Sequence, residues 1–301
     1  MADTHPTDMT TEIPTETPID RPEIETYSYP WATVVSCSDV GLERSQNDDR
    51  VLVKPWPETE ALLLVVADGL GGSQSGGLAA EIACETFATL VEQPLPPTPK
   101  ERYEALAKRC YAADQEVLRQ GGQSFQTLGM GCTVVSAIVT PQDYVYLHAG
   151  DSRLYQLRNG QVWQRSRDHS IVELLLESGR ITEADIPTHP MRSVVNSCLG
   201  GKRSTEHFSI DPKWDENNPP IYPLIAQDWL LLSTDGFHGY LPDITFGQTS
   251  LDPEPMQFLR KIGHMALENG GRDNLSAIAL YLPAYSPITS PETSPEASSE
   301  V

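Results

Sequence analysis

The sequence predicts an α+β fold in which antiparallel sheets are covered by helices, on three observations. Apolar, β-branched segments come in runs with helical segments paired between them, an order that suits antiparallel sheets rather than regular strand-helix alternation. Asn159-Gly160, set between Leu157 and Val162, is the dipeptide of a tight hairpin. Hydrophobic residues make up 39% of the 301 residues, enough for a sizeable core in one large domain or two small ones.

Taken in order, residues 1 to about 30 carry Asp3, Asp8, Glu12, Glu16, Asp20, Glu23 and Glu25 against Arg21, with five prolines. Such a segment buries too little apolar surface to offset its ordering entropy, so disorder is expected. Thr33 to Ser38 reads as a first strand, followed by a polar loop and a second strand at Val51 to Val53. Leu62 to Ala67 is an apolar run of strand length. Leu78 to Val91 has helical spacing, Pro94 to Pro99 break it, and a second helix runs from about Lys100 to Gln120, ended by Gly121-Gly122.

Cys132 to Val139, Tyr144 to Ala149 and Arg153 to Leu157 read as strands, and Ser170 to Ser178 as a helix closed by Gly179. The Pro-containing stretch from Arg180 to about Gln227 reads as an inserted lobe. Strand Trp229 to Ser233, helix Met256 to Glu268 and strand Leu275 to Leu282 complete one domain over residues 31–283. The Ser-Pro-rich end, residues 284–301, is expected to be disordered.

A net charge of -21 argues against nucleic acid or an anionic membrane as the main partner, because the field repels phosphates. A phosphate-bearing substrate must therefore meet local positive charge, and bound divalent cations can supply it. Five scattered cysteines without CxxC spacing predict reduced thiols in the cytoplasm. No stretch approaches the ~20 apolar residues of a membrane helix.

Function is written in a recurring construction. Val65-Val66-Ala67-Asp68-Gly69 is an apolar strand that delivers a carboxylate and then a glycine, and Leu231-Leu232-Ser233-Thr234-Asp235-Gly236 repeats it. Ala149-Gly150-Asp151 and Arg272-Asp273-Asn274 are related forms. One Asp-Gly is a turn, but four carboxylates at the ends of apolar segments suggest one convergent acidic site. Oxygen-only ligands select Mg²⁺ or Mn²⁺ over zinc, and two such ions about 3.5–4 Å apart activate water and neutralise phosphate oxygens.

Competing motifs fail. Gly69-Leu70-Gly71-Gly72-Ser73-Gln74 lacks the third glycine of a dinucleotide fingerprint, and no Gly-Lys-Ser/Thr completes a P-loop. No cysteine has an arginine six positions on, Cys198 and Arg203 being one short, and no Gly-x-Ser-x-Gly elbow occurs.

The ordered set Gly41-Leu-Glu-Arg44-Ser-Gln-Asn47-Asp-Asp49, Val66-Ala-Asp68-Gly69-Leu-Gly-Gly72, Met130-Gly-Cys-Thr133, His148-Ala-Gly-Asp151-Ser-Arg153, Asp168-His169, Leu231-Leu-Ser-Thr-Asp235-Gly236 and Gly270-Gly-Arg-Asp273-Asn274 resembles the PPM family. These are the metal-dependent, type 2C Ser/Thr protein phosphatases, and the resemblance over about residues 33–282 is to their bacterial members. It implies an α-β-β-α sandwich of two antiparallel sheets flanked by helices, with residues 180–227 as a flap.

It further implies hydrolysis of phosphoserine and phosphothreonine by metal-activated water, with two and up to three Mg²⁺ or Mn²⁺ ions. Asp68 resembles the carboxylate that bridges the two ions, with the Gly69 carbonyl, Asp235 and Asp273 as further ligands. Asp151 resembles a ligand of a third ion, shared with Asp235. Asp49 matches the position that orients metal-held water, and Arg44 the one that holds the substrate phosphate, where a planar fork of donors suits the oxygens. The implied setting is cytoplasmic signalling opposite a Ser/Thr kinase, as a monomer with phosphoprotein substrates.

Leu70 departs from the family's histidine or methionine, so another group must protonate the leaving oxygen. Gly77 replaces a common glutamate and Cys132 a threonine. Arg153, His148 and His169 read as structural. An inactive pseudophosphatase or phosphoprotein-binding regulator on this fold is the alternative, and retention of Asp68, Asp235 and Asp273 favours the enzyme.

Overall fold

A computed structural model describes residues 21–70, 75–201 and 208–284. One sheet has six antiparallel strands in the order β1 (Ile24–Ser28), β2 (Thr33–Asp39), β14 (Leu275–Tyr281), β13 (Trp229–Ser233), β9 (Arg153–Arg158) and β10 (Gln161–Arg165). The other has five, β12 (Tyr222–Pro223), β8 (Asp143–Ala149), β7 (Val134–Val139), β4 (Leu62–Ala67) and β3 (Arg50–Pro55). A small third sheet joins β11 (Leu199–Gly200), β6 (Gly131–Cys132) and β5 (Gly69–Leu70).

The two large sheets pack face to face. Leu62, Leu64 and Val66 of β4 meet Val34, Leu230, Leu232, Ile278 and Leu280 of the six-stranded sheet. The alternate residues Leu63, Val65 and Ala67 pack on α1 (Ser75–Ala88) and α2 (Pro99–Gly121) through Ala79, Ile82, Phe87, Leu106 and Cys110. Every residue of β4 is buried, which is why it reads as a continuous apolar run; each large side chain there contributes about 1.5–3 kcal/mol.

On the far face of the six-stranded sheet, Val35, Leu231, Ala277 and Ala279 meet Phe246 of α5 (Asp243–Thr249) and Phe258, Leu259 and Ile262 of α6 (Pro255–Glu268). The layers are therefore α-β-β-α, with the fold class as expected.

Local chemistry sets the element ends. Thr98 and Glu101 form a capping box with Pro99 in the first turn of α2, where its missing N–H costs nothing. Asn159 and Gly160 both have positive φ, 51° and 76°, the pair that a type I′ hairpin between β9 and β10 needs.

Four expectations change. The acidic segment to residue 30 contains β1, which pairs with β2 in register Ile24↔Cys37 to Ser28↔Thr33 and is tied by Arg21 to Asp39 at 2.6 and 3.0 Å. Those long-range contacts replace the apolar content the segment lacks; residues 1–20, like 285–301, lie outside the described residues. The first helix starts at Ser75 and tightens to a 3₁₀ turn over Thr89–Glu92. Helix α5 was not expected, its seven residues carrying too little apolar pattern.

The inserted lobe also holds structure. It follows α3 (Ile171–Glu177), and its later part is stitched to the five-stranded sheet through β12 and a bridge between Asp211 and His148. None of the five cysteines forms a disulfide among the described residues, Cys198 being half-buried and the others buried. Among the described residues no helix is long and apolar enough to cross a membrane.

Candidate active site

Both sheets contribute to one cleft at the end of the sandwich. From the five-stranded sheet, Asp68 directly follows β4 and Asp49 directly precedes β3. From the six-stranded sheet, Asp235 lies two residues after β13 and opens α4 (Asp235–His238), while Asp273 lies two residues before β14. Asp151 occupies the turn where the chain passes from β8 in one sheet to β9 in the other. The strand ends thus carry carboxylates far apart in sequence to one seam.

Arg44, Asp68, Gly69, Asp151, Asp235 and Asp273 line a single cavity of about 350 Å³. Asp49, the seventh expected residue, is buried behind its wall, where it accepts a 3.0 Å hydrogen bond from Thr234 Oγ1, beside Asp235. A neighbouring cavity of about 350 Å³ shares Asp151, Asp235 and Asp273 and adds Arg192, Tyr240 and Arg272.

Asp49, Asp68, Asp151 and Asp235 all hold their protons above the usual carboxylate range. Burial, then Asp49, Asp235, Asp151 and Asp273, push the Asp68 carboxyl well above its usual range. Asp151 is raised likewise by burial and then by Asp235 and Asp168. Burial and Asp273 push Asp235 to about 6, and burial pushes Asp49 to about 7 against the opposing hydrogen bonds from Ser276 and Thr234. Carboxylates gathered against their own repulsion form a site for a divalent cation, whose charge reverses that repulsion.

Neighbouring groups fix this geometry. Gly69 and Gly76 touch backbone to backbone, a Cβ on Gly69 falling 2.3 Å from the Gly76 carbonyl carbon, so the start of α1 lies against the site and its dipole favours anions there. Asp48 accepts from the Gly77 N–H at 3.1 Å, and a Cβ at Gly77 would lie 2.8 Å from its carboxylate; the glutamate replaced here would crowd it. Asn274 bonds Val40 O, Gln46 O and the Asp48 N–H, tying the Arg44 loop to the Asp273 loop. Thr133 N–H bonds Asp68 O at 2.8 Å, and its hydroxyl meets that of Ser152 at 2.6 Å.

The donor set fits Mg²⁺ or Mn²⁺. Among the described residues, oxygen donors line the cavity and no imidazole or thiol does. Among the described residues no three His, Cys, Asp or Glu side chains close on one point as an all-protein cage does. That arrangement suits ions that keep several waters and take one or two carboxylates each.

Sequence reasoning missed Ser193 and Val195, which the inserted lobe brings to the cavity wall, and the Thr234 bond to Asp49. Neither has a local signal, since both contacts exist only after folding. Arg153 is structural, held by Asp168 at 2.7 Å through both Nε and Nη2 and by Asp243 at 3.3 Å.

Comparison with known proteins agrees with this fold. Residues 43–278 match the family described as protein phosphatase 2C. The serine/threonine phosphatase stp of Listeria welshimeri is 28% identical over 249 residues, which is 80% of this chain and 92% of that one. The crystal structure of the Mycobacterium tuberculosis serine/threonine phosphatase PstP/Ppp matches with a TM-score of 0.72 at 26% identity, covering 84% of this chain and 100% of that one. The catalytic domain of PstP in complex with two manganese ions shares the fold, with a TM-score of 0.70 at 24% identity over 84% of this chain and 99% of that one. With its sandwich, its seam of carboxylates and its match over residues 43–278, the chain belongs to the protein phosphatase 2C family, among bacterial serine/threonine phosphatases.

Proposed function

We propose that this chain is a protein serine/threonine phosphatase that hydrolyses phosphoserine and phosphothreonine esters with two, and up to three, Mg²⁺ or Mn²⁺ ions. The observation that carries the reading is the convergence of Asp68, Asp151, Asp235 and Asp273, from both sheets, on one cavity with Arg44 at its wall. When bound, the ions supply an acidified attacking water and neutralise phosphate oxygens.

The chain's own residues supply the rest. Asp68, the Gly69 carbonyl, Asp235 and Asp273 would hold the two central ions, and Asp151 with Asp235 would hold the weaker third. Arg44, more than half exposed at the rim, forks two oxygens of the incoming phosphate. Asp49, fixed by Thr234, orients water from behind the wall. Water attacks phosphorus as the bond to the serine or threonine oxygen breaks. Leu70 lines the cavity and has no proton to give, so the departing oxygen takes its proton from water.

The lobe over residues 180–227, through Ser193 and Val195, selects among phosphoprotein substrates. Cysteines outside any disulfide support action in the cytoplasm, as a monomer opposite a Ser/Thr kinase. The test is phosphate release from a phosphothreonine peptide with Mn²⁺, with chelator, and by Asp235→Asn. Turnover in Mn²⁺ only, lost in the variant, is expected; turnover that survives the chelator overturns the reading, and binding without turnover points to the pseudophosphatase.

A further inference from the structure

Behind the Asp151 turn, away from the cavity that holds the carboxylates, His169 makes contacts that the reaction above does not use. Its backbone N–H donates to Gly150 O at 2.9 Å, and its ring Nδ1 accepts from the Gly150 N–H at 3.3 Å. Both polar groups of the residue just before Asp151 are therefore held by one side chain and its own backbone. An accepting Nδ1 places the ring proton on Nε2, which donates to Asp211 Oδ2 at 2.7 Å.

Two further contacts make His169 a junction. Its carbonyl accepts from the Asn196 N–H at 2.8 Å, next to Val195 of the cavity wall. Asp211 in turn exchanges both backbone hydrogen bonds with His148, at 2.8 and 3.1 Å, and the His148 ring stacks on His169 with centroids 4.6 Å apart. The inserted lobe thus reaches His169 from both sides, by Asn196 and by Asp211.

Gly150 needs such a clamp. Its φ is +111°, and a Cβ there would sit 2.5 Å from Thr133 Cβ, so the chain enters Asp151 through a conformation open to glycine but held by little of its own. A carboxylate presented from such a turn points where its neighbours set it.

We propose that His169, its ring held by Asp211, is a positioning residue that aims the Asp151 carboxylate into the cation site and couples the inserted lobe to it. Groups that support metal ligands typically cost about 10–100-fold in metal affinity when removed. Here the support acts through one peptide, so the low end applies. The inference rests on Asp151 being a metal ligand.

The test measures Mn²⁺ binding to the full chain by calorimetry, beside thermal unfolding. Asp211→Ala is expected to weaken the weakest Mn²⁺ event about tenfold. Asp211→Asn, whose amide oxygen still accepts from Nε2–H, restores most of it, and Asp151→Asn abolishes the event. If Asp211→Ala does not fold, Asp211→Glu, which displaces the acceptor by one methylene, carries the same comparison. Unchanged Mn²⁺ binding in Asp211→Ala with a changed Asp151→Asn overturns the positioning role alone, as does a lower melting temperature with unaltered affinity. Unchanged binding in Asp151→Asn overturns the metal role of Asp151 itself.

Discussion

Arg44 Nη2 lies 2.9 Å from Asp273 Oδ2, so the cation proposed to meet substrate phosphate and a carboxylate proposed to meet an ion hold each other. The pair is exposed, 55% and 32%, and such pairs contribute at most about 1 kcal/mol. A phosphate dianion can therefore displace Asp273 from Arg44 at little cost.

For Arg44→Ala the expected result is a roughly 10- to 100-fold loss in kcat/KM, the value of a charged hydrogen bond of about 1.5–3 kcal/mol, with KM rising most. Arg44→Lys recovers only part, because a point charge cannot fork two oxygens. Steady-state kinetics on one phosphopeptide, with urea unfolding to check that stability changes by less than about 1 kcal/mol, decides it. An unchanged kcat/KM removes Arg44 from phosphate binding.

Asp235→Asn separates stability from activity. Because its folded pKa, about 6, lies above the ordinary carboxylate value, the folded state holds the proton more tightly. The metal-free protein thus loses stability as pH rises from about 4 to about 6. In chelator at pH 8 the variant is expected to be more stable than the parent by about 1–3 kcal/mol. Mn²⁺ reverses the order, stabilising the parent only, and the variant loses more than about 100-fold in kcat. Thermal unfolding with and without Mn²⁺ checks it; equal Mn²⁺ stabilisation of both proteins contradicts it.

His148 sets an acid limit. Burial, then the neighbouring His169, lowers its pKa to about 4, and its Nε2–H bonds Arg167 O. The unfolded chain binds the proton more readily, so this group's contribution is present above about pH 6.5 and lost as pH falls towards 4. His148→Gln keeps a donor for Arg167 O and does not titrate. Its stability relative to the parent is expected to improve by about 1–3 kcal/mol between pH 7 and pH 4.5, read from urea unfolding at each pH. A constant difference across that range refutes the assignment.

Asp228 is fully buried and accepts from Arg158 Nε at 2.7 Å, Arg158 Nη2 at 2.6 Å, Gln156 Nε2 at 2.9 Å and the Ile225 N–H at 3.0 Å. Arg158→Met leaves that charge without its cation, for an expected loss of about 3–5 kcal/mol. Arg158→Met with Asp228→Leu is expected to regain most of it. Denaturant midpoints of the two variants give the answer, and a single-variant loss below about 1 kcal/mol rules the prediction out.

The legible parts of the chain were those whose environment is uniform along a segment. Strand β4 is buried on both faces and announces itself as an apolar run, and α2 is bracketed by prolines and glycines. Strand β1 and helix α5 were hidden because long-range contacts, Arg21 with Asp39 and Phe246 with the core, supply what their sequences lack. In the site, Asp68, Asp151, Asp235 and Asp273 stood out as carboxylates at the ends of apolar segments, while Arg44 and Asp49 were named through the ordered resemblance. Ser193, Val195 and the bond from Thr234 to Asp49 had no local trace. His169 was expected to be a hydrogen-bonded structural residue, and its ring does bond Asp211; that it also grips Gly150 is visible only in three dimensions.

Because Asp68 rides on one sheet and Asp235 and Asp273 on the other, ions held as proposed would act as a rivet across the seam. Any sliding of one layer on the other would then unfasten the site while each layer keeps its ladder of hydrogen bonds. Catalytic competence is then lost at a lower denaturant concentration than far-ultraviolet circular dichroism, and added Mn²⁺ narrows the gap between the two transitions.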